Sequence, residues 1–576
     1  MLILGLTSFK HDTAAALFED GVIRAAIEND KLTRSKSSGV PEEAIRYCLE
    51  AKGVSLNDLD MVAVTGRPFR GWSRRSLLRA RLSPFSPISA AYHEANELGV
   101  IARDLQSLRS LRKKHAVSST VRSFDHHLCH AANSFLLSPF DRALVLTLDQ
   151  EGDGNSGMLA MGEGASLRTL KTIAFPNSLA WIYAQVTALL GFIPRHDEHK
   201  TQWLSLKGEP AYKDVFLAML RNPKNHLPRL NFAYTNRGLA GRLTFSEKFY
   251  REVGIDQSSK EMSEEQRASL ASSLQAACTE LIGSLMEYMR EKTGVRNVCF
   301  AGGLFQNTLL VANLERRLGM GEVYVPPAPG NSGNAIGAGL LAWHQTLNKP
   351  RGNAMFELYS GPTCSRTDIK DVLDNCKARY ALQITEDRKL DTALSFLESG
   401  KIVGWFQGGS EFGPRALGHR SLLASPWAEY VHENLNDYIK HREWFRPFAV
   451  SVPEEDCARY FEASDLCRGM NSLGWAKPDV KVLPEGFLLP GNLVRLHVVS
   501  KEANPQYWRL LKRFGEKAPA PILVNTSFNL FGEPLVVKPR DAVRSYFCSG
   551  IDALVIDNFV LSKAATSYVL AANRAS

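Results

Sequence analysis

Long apolar runs and paired cysteines are both missing from this 576-residue chain. No uninterrupted hydrophobic stretch approaches the roughly 18 residues of a spanning helix, so no membrane segment is expected. The opening MLILGLTSFKHD has neither the basic leader nor the small-residue cleavage site of a signal peptide, and reads as a first β-strand. Nine cysteines are scattered singly with no Cys-x-x-Cys pair. That argues against a zinc ribbon or a disulfide framework and for reduced thiols in a cytoplasm. Neither sign of charge dominates. Lys+Arg at 69 against Asp+Glu at 60 leaves +9, an excess that suits RNA, a membrane surface or anionic substrates such as nucleotides. With 44% hydrophobic and 22% charged residues, disorder, collagen and coiled coil are excluded. At about 150 residues per domain, the length allows several domains.

What is present is an alternation of strands, polar turns and helices. MLILGLT is apolar, SFKHD turns, TAAALFE is extended, Asp20-Gly21 signals a hairpin, and VIRAAIEN follows. The same design returns in ALVLTLD (Ala143 to Asp149), the turn QEGDGNSG, the extended GMLAMGEG and LRTLKTIAF. Two such units predict an internal duplication. Facing turns of this kind can clamp phosphates through backbone N–H groups, although sheet proteins also repeat hairpins by chance. Asp125 is placed to cap a helix carrying His126 and His130, and Ser263 with Gln266 forms a capping box before a long helix. VRNVCFAGGLFQN then gives a strand, a turn at Gly302-Gly303 and a helix after Asn307, and EVYVPPAPGNSGNAIGAGLLAW repeats the theme. Glycines there admit a ligand to the backbone, or simply tight packing of strand against helix.

The polar stretch LNKPRGNAMFELYSGPT marks a boundary near residue 355. Beyond it, KIVGWFQG, FRPFAVSV, VRLHVVS, PILVNTSF and a single final strand in ALVIDNFVL alternate with helices at EYVHENLNDYIKHRE, PQYWRLLKRF and DAVRSYF. A weakly patterned loop from Ala463 to Pro484 interrupts them. This is a second α/β domain.

Several residues stand out chemically. His126 and His130 are four apart, so on a helix both imidazoles leave one face, and Asp149 ends the following strand. Two imidazoles with oxygen donors suit Fe(II), Mn(II) or Zn(II) better than Ca(II). The plainer reading is a polar helix start or satisfied core histidines. His127 and Cys129 face elsewhere on an ideal helix. His11, in the first turn, is either a general base or an ordinary turn residue. In the second domain Arg415 sits in the Gly-Pro loop EFGPRALGHRS, while Lys440, Arg442 and Arg446 crowd IKHREWFRPF. Arg495 begins one strand, and Asn525 with Ser527 ends another. Cations beside apolar strands are costly to bury unpaired, so they are expected to converge on an anion; an ion-pair network with nearby glutamates is the alternative. The Arg/Ser/Leu-rich stretch from Arg67 to Lys114 reads as a solvated face or as an insertion shaping a substrate mouth.

Taken together, HDTAAALFEDG, KLTRSK, DHHLCHAANSF, DEHKTQWLSLKGEP, GWFQGGSEFGPRALGHRS, KHREWFRPFAVSV and NTSFNLFGEP resemble the O-carbamoyltransferases of the nodulation-protein-U type, in the family's order and as far as about residue 561. The resemblance implies an α/β protein of two domains. Residues 1–355 would form a duplicated ribonuclease-H-like domain of the actin and Hsp70 kind, similar to tRNA threonylcarbamoyl transferase, and residues 356–576 a YrdC-like α/β domain. The second domain would join carbamoyl phosphate and ATP into a carbamoyl-adenylate, and the first would move the carbamoyl group to a substrate hydroxyl.

By resemblance, His126, His130 and Asp149 match iron ligands, and His11 matches the residue that deprotonates the acceptor. Lys36 matches a cation near the donor, and Arg415, Lys440, Arg446, Arg495, Asn525 and Ser527 match the carbamoyl phosphate and ATP positions. Gly302, Gly303 and Asn307 match the adenosine turn of the N-terminal domain. Asn331 stands where the family has an aspartate as fourth metal ligand, so a neutral amide replaces a charge. Trp203 stands where a glycine is usual, and the second phosphate turn is altered to DQEGDG. The implied cofactors are ATP, Mg(II) with ATP and a divalent metal, Fe(II). The implied partners are carbamoyl phosphate and a small-molecule hydroxyl acceptor of secondary metabolism such as antibiotic biosynthesis, with no nucleic acid and no membrane; a homodimer is open. The two domains are expected to share an internal space. The runner-up is a tRNA threonylcarbamoyl-type enzyme, and a third reading is a non-catalytic nucleotide-binding regulator.

Overall fold

The computed structural model describes residues 1–8, 12–36, 38–67, 120–221, 225–237, 243–259, 261–352, 358–479 and 482–563. Two compact units divide the chain. Unit 1 holds Met1–Arg24 and Ser37–Phe356; unit 2 holds Ala25–Lys36 and Glu357–Ser576. The second unit thus takes a short N-terminal segment besides the C-terminal part.

Unit 1 is built on two five-stranded sheets of one topology. The first contains β1 (Leu2–Thr7), β2 (Ala14–Glu19), β3 (Val22–Glu28, whose last four residues are counted with unit 2), β4 (Met61–Thr65) and β5 (Thr120–Phe124), in the order β3-β2-β1-β4-β5. The second contains β6 (Arg142–Gly152), β7 (Asn155–Glu163) and β8 (Ser166–Ala174) and, after a small hairpin of β9 (Thr235–Arg237) and β10 (Leu243–Phe245), β11 (Val298–Ala301) and β12 (Val323–Tyr324). Its order, β8-β7-β6-β11-β12, repeats the first. In both, the first strand pairs antiparallel with its hairpin partner and parallel with the strand that follows a crossover. This is the duplicated ribonuclease-H-like arrangement of the actin kind. Its cause is legible locally: a hairpin needs only a tight turn, whereas parallel neighbours need a helical connection.

Helices cover the sheets. Asp125 caps His126–Phe135, accepting from the N–H groups of His127 and Leu128. Ser263 and Gln266 form the expected capping box of Glu264–Thr293, whose Leu270, Leu274, Cys278, Leu281 and Leu285 are buried at helical spacing. The helix Asn334–Leu341 lies close against His126–Phe135 because position 337 is glycine. A Cβ there would come within 1.9 Å of the Cys129 carbonyl oxygen. No helix among the described residues is long and apolar enough to cross a membrane.

Unit 2 centres on an eight-stranded mixed sheet. Its strands are β13 (Ala381–Leu382), β14 (Val403–Phe406), β15 (Arg420–Ala424), β16 (Ala449–Pro453), β20 (Leu496–Val499), β21 (Leu523–Ser527), β22 (Ala553–Ile556) and β23 (Phe559–Ser562), in the order β13-β23-β22-β14-β15-β21-β16-β20. β17 (Phe461–Glu462), β18 (Gly474–Ala476) and β19 (Leu493–Val494) make a small second sheet. Along β14 the residues alternate between two cores, with Val403 and Trp405 in one and Phe406 in the other. Two expectations need correction. The final strand is a hairpin, β22 and β23, because Asp557 adopts a positive φ of 48° and turns the chain. The supposed loop at Ala463 to Pro484 contains a helical turn, Asp465–Gly469, and β18.

Candidate functional site

In unit 1 the capped helix brings His126 and His130 over the end of β6. His126 Nε2 and His130 Nε2 are 3.1 Å apart and lie 3.2 and 3.3 Å from Asp149 Oδ2. Three donor atoms from three side chains thus converge on one point. Both histidines are buried, His130 completely. Burial, more than any neighbour, holds the His126 imidazole down at about 3, so it is neutral. Burial alone would raise Asp149, but hydrogen bonds from His126 and His130 outweigh it and keep the carboxyl well below its usual range. A buried carboxylate beside two imidazoles calls for a cation, and two nitrogens with one oxygen fit a divalent first-row metal. Gly152 is part of the design, since a Cβ there would come within 2.1 Å of the His126 ring.

The neighbouring residues are accounted for. His127 turns away, with Nδ1 2.9 Å from Thr147 Oγ1 and Nε2 3.1 Å from the Asn155 carbonyl. Burial pushes the Cys129 thiol up, as suits a core thiol. Asp153 accepts from the N–H groups of His126 and Arg67 at 2.8 and 2.9 Å, fixing the helix start. The amide placed against the triangle is that of Asn334, whose Nδ2 is 3.2 Å from His130 Nε2. Asn331, three residues earlier, is buried, and its Oδ1 has no hydrogen-bond partner among the described residues. Gly302 has φ 103°, and a Cβ on Gly303 would lie 3.1 Å from Asp149 Oδ1. Asn307 caps the helix Thr308–Leu318 and exchanges hydrogen bonds with Gln275 and Tyr183, so its amide is engaged inside unit 1. Trp203 is buried in the helix Glu198–Leu204. His11 lies outside the described residues, as does the stretch from Arg67 to Lys114 apart from Arg67 itself.

In unit 2 the cations gather. Burial and then the like charges of Arg415, Arg442 and Arg446 hold Arg495 well below the usual arginine range. Burial lowers Arg415 to about 10 and, with Arg446, lowers Arg442 to about 9. Lys440 is pushed well down by burial, then by Arg442 and Arg446. Its ammonium donates to Asn529 Oδ1 at 2.8 Å, to the Asn529 carbonyl at 3.0 Å and to the Ser527 carbonyl, all neutral acceptors. Glu443 lies 3.7 Å from Arg446. Cations held this close repel one another, and an anion bound among them relieves that repulsion. Asn525 donates to the Ala416 carbonyl at 3.1 Å, and its buried Oδ1 has no partner among the described residues. Ser527 Oγ donates to Asn529 Oδ1 at 2.7 Å. Lys36 is exposed, at the end of the N-terminal segment counted with this unit.

Two residues here carried no obvious sequence signal. Glu411 is fully buried, and its Oε1 accepts from the N–H groups of Leu417, His419 and Arg420 at 2.9, 3.0 and 3.1 Å. It folds the Arg415 loop around itself. His497, held at about 3 by burial, places Nδ1 2.9 Å from Ser451 Oγ and 3.2 Å from Asn525 Nδ2.

Both parts of the chain match one family. Residues 2–340 fit the model described as carbamoyltransferase N-terminus, and residues 394–563 fit carbamoyltransferase C-terminus. The protein belongs to the carbamoyltransferase family, and membership implies a carbamoyl donor and an acceptor. Among relatives, protein sll1178 of Synechocystis is 34% identical over 98% of this chain and 97% of its own. Nodulation protein NolNO of Sinorhizobium fredii is 30% identical over 97% of this chain and 80% of its own. Solved structures overlap more loosely. The 2-hydroxyisocaproyl-CoA dehydratase activator of Clostridium difficile covers 60% of this chain and 96% of its own at TM-score 0.32 and 15% identity. HypF of T. kodakarensis covers 62% of this chain and 49% of its own at TM-score 0.33 and 12% identity.

Proposed function

We propose that this carbamoyltransferase is an ATP-dependent O-carbamoyltransferase that divides the reaction between two sites. In unit 2, carbamoyl phosphate and water give carbamate and phosphate, and the carbamate oxygen attacks the α-phosphorus of ATP, with Mg(II), releasing pyrophosphate. The product is carbamoyl-adenylate. In unit 1 an acceptor hydroxyl attacks the carbamoyl carbon and AMP departs. The observation that carries this reading is the close set of Lys440, which is buried, and Arg415, Arg442, Arg446 and Arg495, which are half-buried, whose mutual repulsion an anionic ligand relieves. Asn525, with an unpartnered Oδ1, and Ser527 add neutral polar groups to it.

In unit 1, His126, His130 and Asp149 hold a divalent metal, Fe(II) on this reading, with Asn334 against His130 and Asn331 nearby in sequence. When bound, that ion supplies Lewis-acid polarisation of the carbamoyl oxygen as negative charge builds there. His11 takes the acceptor proton, and Lys36 steers the anionic donor. Gly302 and Gly303 allow a nucleotide to approach the backbone. The acceptor is a polyhydroxylated small molecule of secondary metabolism. The test is a mass-spectrometric screen of such metabolites with the enzyme, ATP and carbamoyl phosphate. A gain of one carbamoyl unit on a hydroxyl, dependent on both co-substrates, is the expected result. Carbamoylation of a tRNA nucleoside and of no small molecule would refute it in favour of the tRNA-modifying reading.

A further inference from the structure

The anion site of unit 2 is anchored by a piece of chain more than three hundred residues away in sequence. Within Ala25–Lys36, Glu28 and Lys31 are both buried, and their side chains form an ion pair at 2.9 Å. The Lys31 ammonium donates to the carbonyls of Glu411 and Gly413, each at 2.8 Å. The Gly413 N–H donates to Glu28 Oε1 at 2.6 Å. Gly413 is therefore held through its N–H and its carbonyl at once, at a positive φ of 107°, two residues before Arg415. Arg34 grips a second loop. One guanidinium nitrogen donates to the Pro534 and Leu535 carbonyls at 2.8 and 2.7 Å, and the other to Glu533 Oε2 at 3.0 Å. The Glu533 carbonyl accepts from Asn529 Nδ2 at 2.7 Å, and Asn529 is the seat of Lys440. The two loops fixed by this segment are thus the one that carries Arg415 and the one on which the Lys440 ammonium is seated.

We infer that Glu28, Lys31 and Arg34 are positioning residues of the unit 2 anion site, which is assembled from two stretches of chain and bound tightly only when the N-terminal one is in place. The inference rests on reading the cation cluster as the nucleotide site. Its logic is preorganisation: if losing a clamp leaves the loops competent a tenth of the time, apparent affinity falls about tenfold.

The experiment measures ATP binding to the full chain by calorimetry, well below the unfolding midpoint of each variant. Arg415→Ala reports on the site itself. Lys31→Met and Arg34→Gln remove the clamps, and Lys31→Arg restores a charge. ATP affinity is expected to fall about tenfold or more in Lys31→Met and Arg34→Gln, with substantial recovery in Lys31→Arg. A purely structural role would lower the unfolding midpoint and leave the affinity of the folded protein unchanged. Should Lys31→Met not fold, the partly exposed Arg34 carries the test. If the wild type binds ATP and Arg415→Ala does not, but the clamp variants bind within twofold of wild type, the inference is overturned while the site reading stands. If the wild type does not bind ATP, or Arg415→Ala binds equally well, the site reading fails and the inference with it.

Discussion

Replacing Arg495 by methionine is expected to make the unliganded protein more stable and unable to hold nucleotide. The guanidinium is buried among Arg415, Arg442 and Arg446, and burial is the larger of the two penalties it bears. Removing a charge that burial and three like charges all disfavour relieves both penalties at once. Against this stands the 3.4 Å hydrogen bond from Arg495 to the Pro447 carbonyl, worth about 1 kcal/mol, and an orphaned acceptor that costs about 1–2 kcal/mol more. Buried ions replaced by hydrophobic side chains of similar volume commonly stabilise proteins by about 1–4 kcal/mol. Charge relief therefore wins. At about 2–4 °C per kcal/mol for a unit of this size, the midpoint should rise by several degrees in calorimetry, in a buffer free of phosphate and sulfate. Adding ATP at about 100 times its dissociation constant should stabilise the wild type by about 2.7 kcal/mol and leave Arg495→Met unmoved. A lower midpoint for the unliganded variant, or an undiminished response to ATP, would refute the reasoning.

Glu411→Gln keeps an acceptor but removes the charge that three N–H groups share, and charge-assisted bonds are roughly twice as strong as neutral ones. A loss of about 2 kcal/mol is expected, with ATP affinity falling tenfold or more by calorimetry; unchanged affinity would show that the loop holds without it. For the metal centre, Asn334→Ala should weaken Mn(II) binding, because the Asn334 amide lies against the ligating nitrogen of His130, where its oxygen can join the donor set. Titration followed by electron paramagnetic resonance would read it, and an effect confined to Asn331→Ala would contradict the geometry. His497 has its folded pKa depressed to about 3, so the unfolded chain takes up its proton first as the medium acidifies. Its contribution to stability is complete above about pH 6.5 and is lost as pH falls from there towards 3, about 2 kcal/mol of it between pH 7 and 5. His497→Gln should remove that increment from the acid limb of a denaturation series; an unchanged acid limb would mean that His497 protonates in the folded protein.

The parts of this molecule that sequence reveals are those with local causes. The i, i+4 spacing of His126 and His130 puts both rings on one helix face whatever surrounds it, and the Asp125 cap marks where the helix starts. The two strand–hairpin units disclose the duplication because hairpins are closed by neighbouring residues. Elements that depend on distant partners stay hidden. Nothing local separates Glu411, a buried hub of three backbone hydrogen bonds, from a glutamate in any loop. Lys31 meets its acceptors only across 380 residues of sequence. Asn334 and Asn331 are equally polar in the same glycine-rich turn, and only the docking of one helix on the other, permitted by Gly337, decides which amide faces His130. The final segment reads as one strand because only two polar residues, Asp557 and Asn558, interrupt its apolar run, and the chain turns there through a left-handed backbone at Asp557.

On the proposed division of labour, activation and transfer are separate chemistries on separate side chains. Exchange of labelled pyrophosphate into ATP, dependent on carbamoyl phosphate, measures activation without any acceptor. Arg415→Ala is expected to abolish this exchange, while Asp149→Asn leaves it near the wild-type rate and loses carbamoyl transfer. Exchange that survives in Arg415→Ala, or disappears in Asp149→Asn, would contradict it.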